Sequence, residues 1–428
     1  MKLFIVIICV LSSFTAIKVG NIQIIELFEM LIIFFLLGWL FLHHRTRYKT
    51  LLGNIYKQYL LLIIALGFIA LFVFSQQTFY IPNTSLSFIK HPPWLSVSRL
   101  VQLFLAATTM VFLAEILSRH NNLFFFFVKV YIFTGVINAL YGTVSYVALL
   151  QFNIETGGAY YSGSAIRAKG FFVEGGPFGV YLTSVVLMTL FQYFILRGKK
   201  VTNTLLLIVL LVGIFLSYSK AGILVMLFLI LLLILFSRKQ NQGKVIVLSM
   251  MLLIIIGHFT LFEAIPGMKR YVESYQNIYE LIPTHQDDAN LVMGRIAASI
   301  IVPKIIEAHP IVGVGIGNYS VVRNDPNYLG ILPSVDAWDL TGLGLLGYVA
   351  ETGIPVFLLL ILLLLKPYRL LKKNNSSGIY LTLASYQPVA HLFGVQLTFL
   401  YPWLITSFAL ACLFYNKNFR VSSQKGLM

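Results

Sequence analysis

Apolar residues run through this chain in long unbroken blocks, separated by short polar gaps. A half-buried strand alternates, whereas a transmembrane helix needs about 20 apolar residues in succession, so the blocks read as membrane spans. The pattern predicts spans near 3–17, 21–43, 58–76, 100–117, 123–150, 173–196, 204–218, 221–237, 245–263, 341–365, 378–393 and 396–415. The first, seventh, eighth and eleventh are short for a bilayer. One long polar stretch interrupts the series. The chain therefore divides into spans 1–9 over 1–263, a loop over 264–340, and spans 10–12 with the C-terminal tail over 341–428. The expected fold class is all-α: a polytopic transmembrane helical bundle of about 12 spans with one large, partly helical extracytoplasmic loop. In that loop Val272, Tyr275, Ile278, Tyr279 and Ile282 recur at helical spacing, as do apolar residues around Arg295. Pro303 is expected to kink or end the second of these helices. A β-barrel is disfavoured, because its strands would alternate. Lys2 and the apolar run after it read as a retained first helix, since no small-residue cleavage site follows.

Composition agrees with that pattern. Of 428 residues 58% are hydrophobic and only 11% charged, and mean hydropathy is +0.86. A soluble domain carries about a quarter charged residues. A soluble enzyme, a disordered chain and a secreted disulfide scaffold are excluded. The net charge of +16 does not point to nucleic acid, because the basic residues sit in the short gaps and form no basic face. Of the 31 Lys and Arg, 19 fall in one alternate set of gaps. By the positive-inside rule that set is cytoplasmic. Both termini are then cytoplasmic, and 264–340 lies on the outer side. All five aspartates of the chain are in that loop. Cys9 and Cys412 lie in apolar runs and suggest neither a disulfide nor a metal site. The chain has no paired-histidine metal spacing, P-loop, H-E-x-x-H, C-x-x-C or G-x-S-x-G. No metal and no cofactor is expected.

Four stretches depart from the apolar background. Arg167 to Gly179 enters the sixth span with two cations, Arg167 and Lys169, then Gly170, Glu174 and the breakers Gly175, Gly176 and Pro177. Irregular backbone at membrane depth is tolerated where it is buried or lines a cavity. Ser217 to Gly222 is a tight turn between two short spans and carries Lys220. Arg295 precedes His309 to Tyr319, in which Gly313, Gly315 and Gly317 alternate. This is not the dinucleotide fingerprint G-x-G-x-x-G; a turn that lets a substrate approach the backbone fits it better. Asp336 and Asp339 close the loop at a spacing that shares one helix face. Glu351 to Pro355 follows inside the tenth span, and an intramembrane carboxylate reads as functional or as the partner of a cation.

In this order the motifs resemble those of the O-antigen ligase and polymerase family of integral-membrane glycosyltransferases. The resemblance covers roughly 165–360. It rests on Arg167 to Gly179, on Ser219-Lys220-Ala-Gly222 where the family has a Ser-Arg-Gly-like turn, on Arg295 before Pro310 to Gly317, and on Glu351 to Pro355. Lys220 stands where the family usually has arginine, which keeps the charge but loses the bidentate fork. Ligases carry a histidine about ten residues before the Glu-x-Gly motif. Residues 310–350 here hold none, which favours the polymerase branch.

What the resemblance implies is metal-independent glycosyl transfer on the outer face of the bacterial cytoplasmic (inner) membrane. An O-antigen or related surface-polysaccharide polymerase would join oligosaccharide repeat units carried on undecaprenyl pyrophosphate. The alternatives are an O-antigen ligase acting on a lipid A-core acceptor and a lipid-linked oligosaccharide flippase. Arg167, Lys220 and Arg295 are the expected pyrophosphate-binding cations. Glu174, Asp336 and Asp339 are the candidate catalytic bases. Gly170, Gly313, Gly315 and Glu351 are expected around the substrate cavity. Expected partners are the undecaprenyl-pyrophosphate-linked oligosaccharide and membrane lipid, with room for a chain-length regulator protein and none for nucleic acid.

Overall fold

The computed structural model describes residues 1–15, 18–19, 22–23, 51–76, 92, 94–162, 165–236, 292, 294–335, 344–374 and 378–425, with side chains of the last helix to 414. All of the expected span 245–263, nearly all of 21–43, the helical pattern at 272–282, and Asp336 and Asp339 lie outside the described residues. In chain order the elements are α1 (Lys2–Leu11), β1 (Lys18–Val19), β2 (Ile22–Gln23), α2 (Leu51–Gln76), α3 (Trp94–Arg119), α4 (Asn121–Phe152), β3 (Ala159–Ser162), β4 (Ala165–Ala168), α5 (Gly175–Phe194), α6 (Lys200–Leu216) and α7 (Lys220–Phe236). They continue with α8 (Arg295–Ala308), α9 (Tyr319–Val322), α10 (Pro326–Leu329), a 3-10 turn (Gly344–Leu346), α11 (Gly347–Leu364), α12 (Lys366–Lys373), α13 (Gly378–Leu392) and α14 (Leu400–Lys425).

Most of the expected helices are present where the chain is described, but Ile22–Gln23, inside the expected span 21–43, is strand. Among the described residues five segments are long and apolar enough to cross a membrane: α2, α3, α4, α5 and the run Gly344–Lys373. Helix α6 has 17 residues, a rise of about 26 Å against a hydrocarbon core of about 30 Å. Within the expected span 3–17 only ten residues are helical, about 15 Å, which is too short to cross. There Ser12 and Ser13 turn their hydroxyls back onto the Cys9 and Val10 carbonyls. The bundle is not purely α-helical. Two short antiparallel hairpins, β1–β2 and β3–β4, interrupt it. Helix α8 also runs unbroken through Pro303, against expectation. The ring sits on the exposed side, away from the packed face.

Helix α5 lies at the centre, against α4, α6, α7, α13 and α14. Its polar residues are used internally. The Tyr131 and Ser184 hydroxyls of α4 and α5 lie 2.6 Å apart, and Tyr386 of α13 donates to the Val180 carbonyl at 2.8 Å. Such bonds contribute roughly 0.6 kcal/mol each inside a membrane bundle. Phe124, Phe127, Phe191 and Phe408 stack where α4, α5 and α14 meet. Close backbone contact fixes α7 on α5. A Cβ added at Gly222 would lie 2.8 Å from the Gly179 carbonyl carbon, and one at Gly179 would lie 2.3 Å from Ser219 Cβ. Small residues permit this approach, and dispersion over the contact holds it where no hydrophobic drive exists.

Two glycines of this joint should therefore respond oppositely to substitution. Gly222→Val should lower stability by about 1–3 kcal/mol through overpacking. Gly176→Ala should be neutral, because no atom lies within 4 Å of the added methyl. Thermal denaturation of the detergent-solubilised variants reads both, and equal midpoints would contradict the packing argument.

Candidate functional site

The site gathers at the end of the bundle that carries the β3–β4 hairpin. The hairpin pairs Tyr160 with Arg167 across its two strands. Arg167 reaches from β4 to the turn between α6 and α7. Its Nε donates to the Ser217 carbonyl at 3.1 Å and its Nη2 to the Tyr218 carbonyl at 3.4 Å. Those carbonyls close the C-terminus of α6, the negative end of a helix dipole, where a cation is favoured. The turn is tied down in three ways. Ser219 donates to the Gly176 carbonyl at 2.8 Å. The same hydroxyl accepts from the Gly222 amide at 2.9 Å and so caps α7. A Cβ on Gly175 would lie 2.6 Å from the Ser217 carbonyl oxygen.

Arg295, the first residue of α8, is exposed. Its Nη2 donates to the Phe393 carbonyl at 2.8 Å, just past the C-terminus of α13. Gly394, at φ 100°, leaves the space for it, since a Cβ there would lie 2.9 Å from that nitrogen. Lys220 stands in the turn between α6 and α7, and the apolar span of α7 follows it. Burial first, then the charges of Arg167 and Arg295, hold its ammonium below the usual lysine range. Two cations expected from separate motifs thus act on a third. Lys169 joins them: its Nζ and the Arg167 guanidinium carbon lie 5.4 and 6.0 Å from the Tyr160 ring centroid. Glu174, extended and exposed, precedes α5 next to this group and makes no ion pair among the described residues.

The glycine loop and the Glu351 motif form a second unit. At Gly353 α11 is broken, with φ 72° and ψ 163°. The backbone groups freed there bond to the loop. Val314 and Gly315 amides donate to the Ala350 and Glu351 carbonyls at 2.9 and 2.8 Å, and the Ile354 amide donates to the Pro310 carbonyl at 2.9 Å. The alternating glycines serve this pairing. A Cβ on Gly313 would lie 2.5 Å from the Glu351 backbone, and one on Gly353 2.0 Å from the Ile311 carbonyl oxygen. Glu351 is buried. Its carboxylate accepts from the Tyr319 amide at 3.4 Å and from the Gly317 amide, and it faces the charge of Arg99.

The glycines expected around a substrate cavity are thus packed by protein. The space beside Gly170 is filled by Asn138 and Phe178, that beside Gly313 by α11, and that beside Gly315 by Asn318. Glu351 is engaged by the loop and Arg99. Residues absent from the sequence reading are Tyr160, Tyr218, Arg99 and Gly394. A signal for the hairpin existed: Gly163-Ser164 between two short strand-like runs is a two-residue turn pattern.

The apolar helices define an integral membrane protein. Residues 205–361 match the family model described as O-antigen ligase. That segment, 157 of the 428 residues, is similar to the O-antigen ligase and polymerase family, whose members are membrane glycosyltransferase-like enzymes. The matched segment holds Lys220, Arg295, the glycine loop and Glu351, while Arg167 and Glu174 precede it. The match does not separate polymerase from ligase. Comparison with curated proteins gives no match.

Chemically, such an arrangement can receive an anion. Three cations converge, and the N-termini of α5 and α7 add positive dipole ends to the same region. Lys220 must be protonated to contribute. Because its folded-state pKa is lowered, its charge is lost at a pH below that of an ordinary lysine. Sulfate, whose charge is constant in the alkaline range, should therefore bind more weakly as pH rises there. Lys220→Arg should flatten that dependence, since arginine keeps its charge. Identical pH profiles for the two proteins in a calorimetric titration would remove Lys220 from the anion site.

Proposed function

We propose that the chain is a surface-polysaccharide polymerase that joins oligosaccharide repeat units carried on undecaprenyl pyrophosphate. The observation that carries this reading is that Arg167 and Arg295, each held by a carbonyl at the end of a helix, both act on Lys220. Like charges are brought together only where an anion offsets their repulsion or where the fold bears that cost for function. Pyrophosphate is the anion that the chemistry of the family domain calls for. As the bond between the anomeric carbon and the phosphate oxygen breaks, the electron pair goes to the pyrophosphate, which gains charge. Cations fixed at that point stabilise the transition state more than the ground state. The oxygen of the acceptor hydroxyl forms the new bond to the anomeric carbon. Its proton passes to a carboxylate, for which Glu174, Asp336 and Asp339 are the candidates.

Two further features support this. Helix α6, whose two ends are both described, rises about 26 Å against a hydrocarbon core of about 30 Å, which would recess the turn at its end and the cations around it toward the lipid. A low-dielectric setting strengthens each ionic contact. The absence of histidine from 310–350 favours polymerase over ligase, because the base is then a carboxylate and the acceptor a second lipid-linked repeat unit. In this reading the cluster faces the outer side of the cytoplasmic membrane, both termini are cytoplasmic, and a chain-length regulator acts as partner.

Purified protein supplied with lipid-linked repeat units should form glycosidic bonds without transport. Arg295→Ala should lower turnover by about 10²–10³-fold, the loss seen when one preorganised donor to developing charge is removed, while the protein still inserts. Normal long-chain product from that variant would refute the assignment of Arg295. Single replacement of Glu174, Asp336 and Asp339 tests the base, and full activity in all three would show that it lies elsewhere.

A further inference from the structure

We infer that Tyr160 and Tyr218 form an aromatic clamp that receives the sugar joined directly to the donor's pyrophosphate; this rests on the polymerase reading above. Both tyrosines flank Arg167. Tyr160 is its partner across the hairpin, with the guanidinium carbon 6.0 Å from the ring centroid. Tyr218 supplies one of the two carbonyls that Arg167 holds, at 3.4 Å. Both side chains are partly exposed.

The backbone of Tyr218 is the second observation. Its φ is 48°, in the left-handed region. A bulky residue there is an outlier, and such strain persists only where its surroundings over-determine it, commonly at ligand sites. The turn itself does not require a side chain. Glycine would adopt the same conformation without strain and would offer Arg167 the same carbonyl. The ring is what tyrosine adds. Among the described residues its hydroxyl has a 3.5 Å contact with that of Tyr146, which is long for an O–H···O bond.

The chemistry suits a sugar. A pyranose presents C–H groups on its faces and hydroxyls around its rim. Aromatic rings cover the former, and phenol hydroxyls bond the latter. Neither ring carries charge, so neither competes with the cations for phosphate. An anion bound on Arg167 would direct its first sugar toward the two side chains that flank Arg167, Tyr160 and Tyr218. More distant sugars would lie beyond this clamp, so it reads the first residue of the repeat unit and not the whole.

The test uses two probes, undecaprenyl pyrophosphate and the same lipid bearing one N-acetylglucosamine. Wild-type protein should bind the sugar-bearing lipid about tenfold more tightly, the scale of one good aromatic contact. Tyr218→Gly should lose that preference while binding the bare lipid as wild type does; Tyr160→Ala, which also removes the ring beside Arg167 and Lys169, should lose the preference whatever its effect on the bare lipid, and Tyr160→Phe should keep most of it. Tyr218→Gly should denature at no lower temperature than wild type, because it relieves the left-handed strain. Should it fail to fold, Tyr218→Asn, which also tolerates that conformation, takes its place. A preference retained in both ring-deletion variants, or absent from the wild type, overturns the clamp and leaves the polymerase reading intact. A wild type that binds neither lipid overturns the polymerase reading itself. Variants that lose membrane association instead of sugar preference would make the tyrosines interfacial anchors and overturn the clamp.

Discussion

Arginine side chains held by the C-terminal ends of helices are the constraint from which the rest of the site follows. Arg167 bonds the carbonyls that close α6, and Arg295 bonds the carbonyl just past α13. Both positions are negative dipole ends and favour a guanidinium. Without such anchors, two arginines acting on one lysine would splay apart. With them, part of the repulsion is balanced by fixed backbone dipoles. The remainder appears at Lys220, whose ammonium is discouraged by burial and by both neighbours. In the proposed reading such a site receives an anion, the donor's pyrophosphate. It also needs little rearrangement when the anion arrives, which is the condition for electrostatic catalysis.

The anchors require close backbone approaches, and these explain the glycines. Gly394 admits the Arg295 guanidinium, Gly175 admits the Ser217 carbonyl, and Gly179 and Gly222 bring α5 onto α7. The same logic governs the break in α11. A helix interrupted within a membrane must re-satisfy its freed amides and carbonyls from another segment. The Pro310–Gly315 stretch does so from outside α11, and Glu351 then bonds the amides that follow it. Glycine in these motifs serves close contact within the protein, with backbone at Gly222, Gly313 and Gly353 and with side chains at Gly179, Gly315 and Gly394. The ligand-facing work falls to side chains on neighbouring residues.

Much of the fold was legible in the sequence because continuous apolar runs carry one strong meaning in a chain of this composition. The helices over 51–76, 94–119, 121–152 and 175–194 appear where the runs are. The cations of the cluster were legible for a related reason, since charge is costly in such a chain and is kept where it acts. The hairpin was hidden, because Tyr160 to Ala168 is short, polar and lodged between two dominant apolar blocks; its turn pair Gly163-Ser164 is a weak signal beside theirs. The role of the alternating glycines was hidden too. G-x-G-x-G specifies a backbone without side chains and does not say whether protein or ligand fills the space. Only the distance to α11 decides that, and it decides for protein. The position of Tyr218 in the left-handed region has no sequence signature, since tyrosine is not a residue that marks such turns.

The hairpin and the α6–α7 turn solve one problem jointly. The turn exposes carbonyls at the end of α6, where they would need solvent or a donor. The hairpin carries a donor but has too few residues to stand alone, because an isolated two-stranded hairpin is marginal in water. Arg167 supplies a donor to the turn, and the turn adds an anchor to a hairpin that also packs on α4. The residues that orient charge at this end of the bundle therefore also support the local fold. Loss of Arg167 would remove a cation and a tie between hairpin and turn at once, whereas Arg295, anchored on α13 from the first turn of a 14-residue helix, can lose its charge with the surrounding helices still in place. The two arginines contribute the same charge to the cluster, but only Arg295 reports on that charge alone.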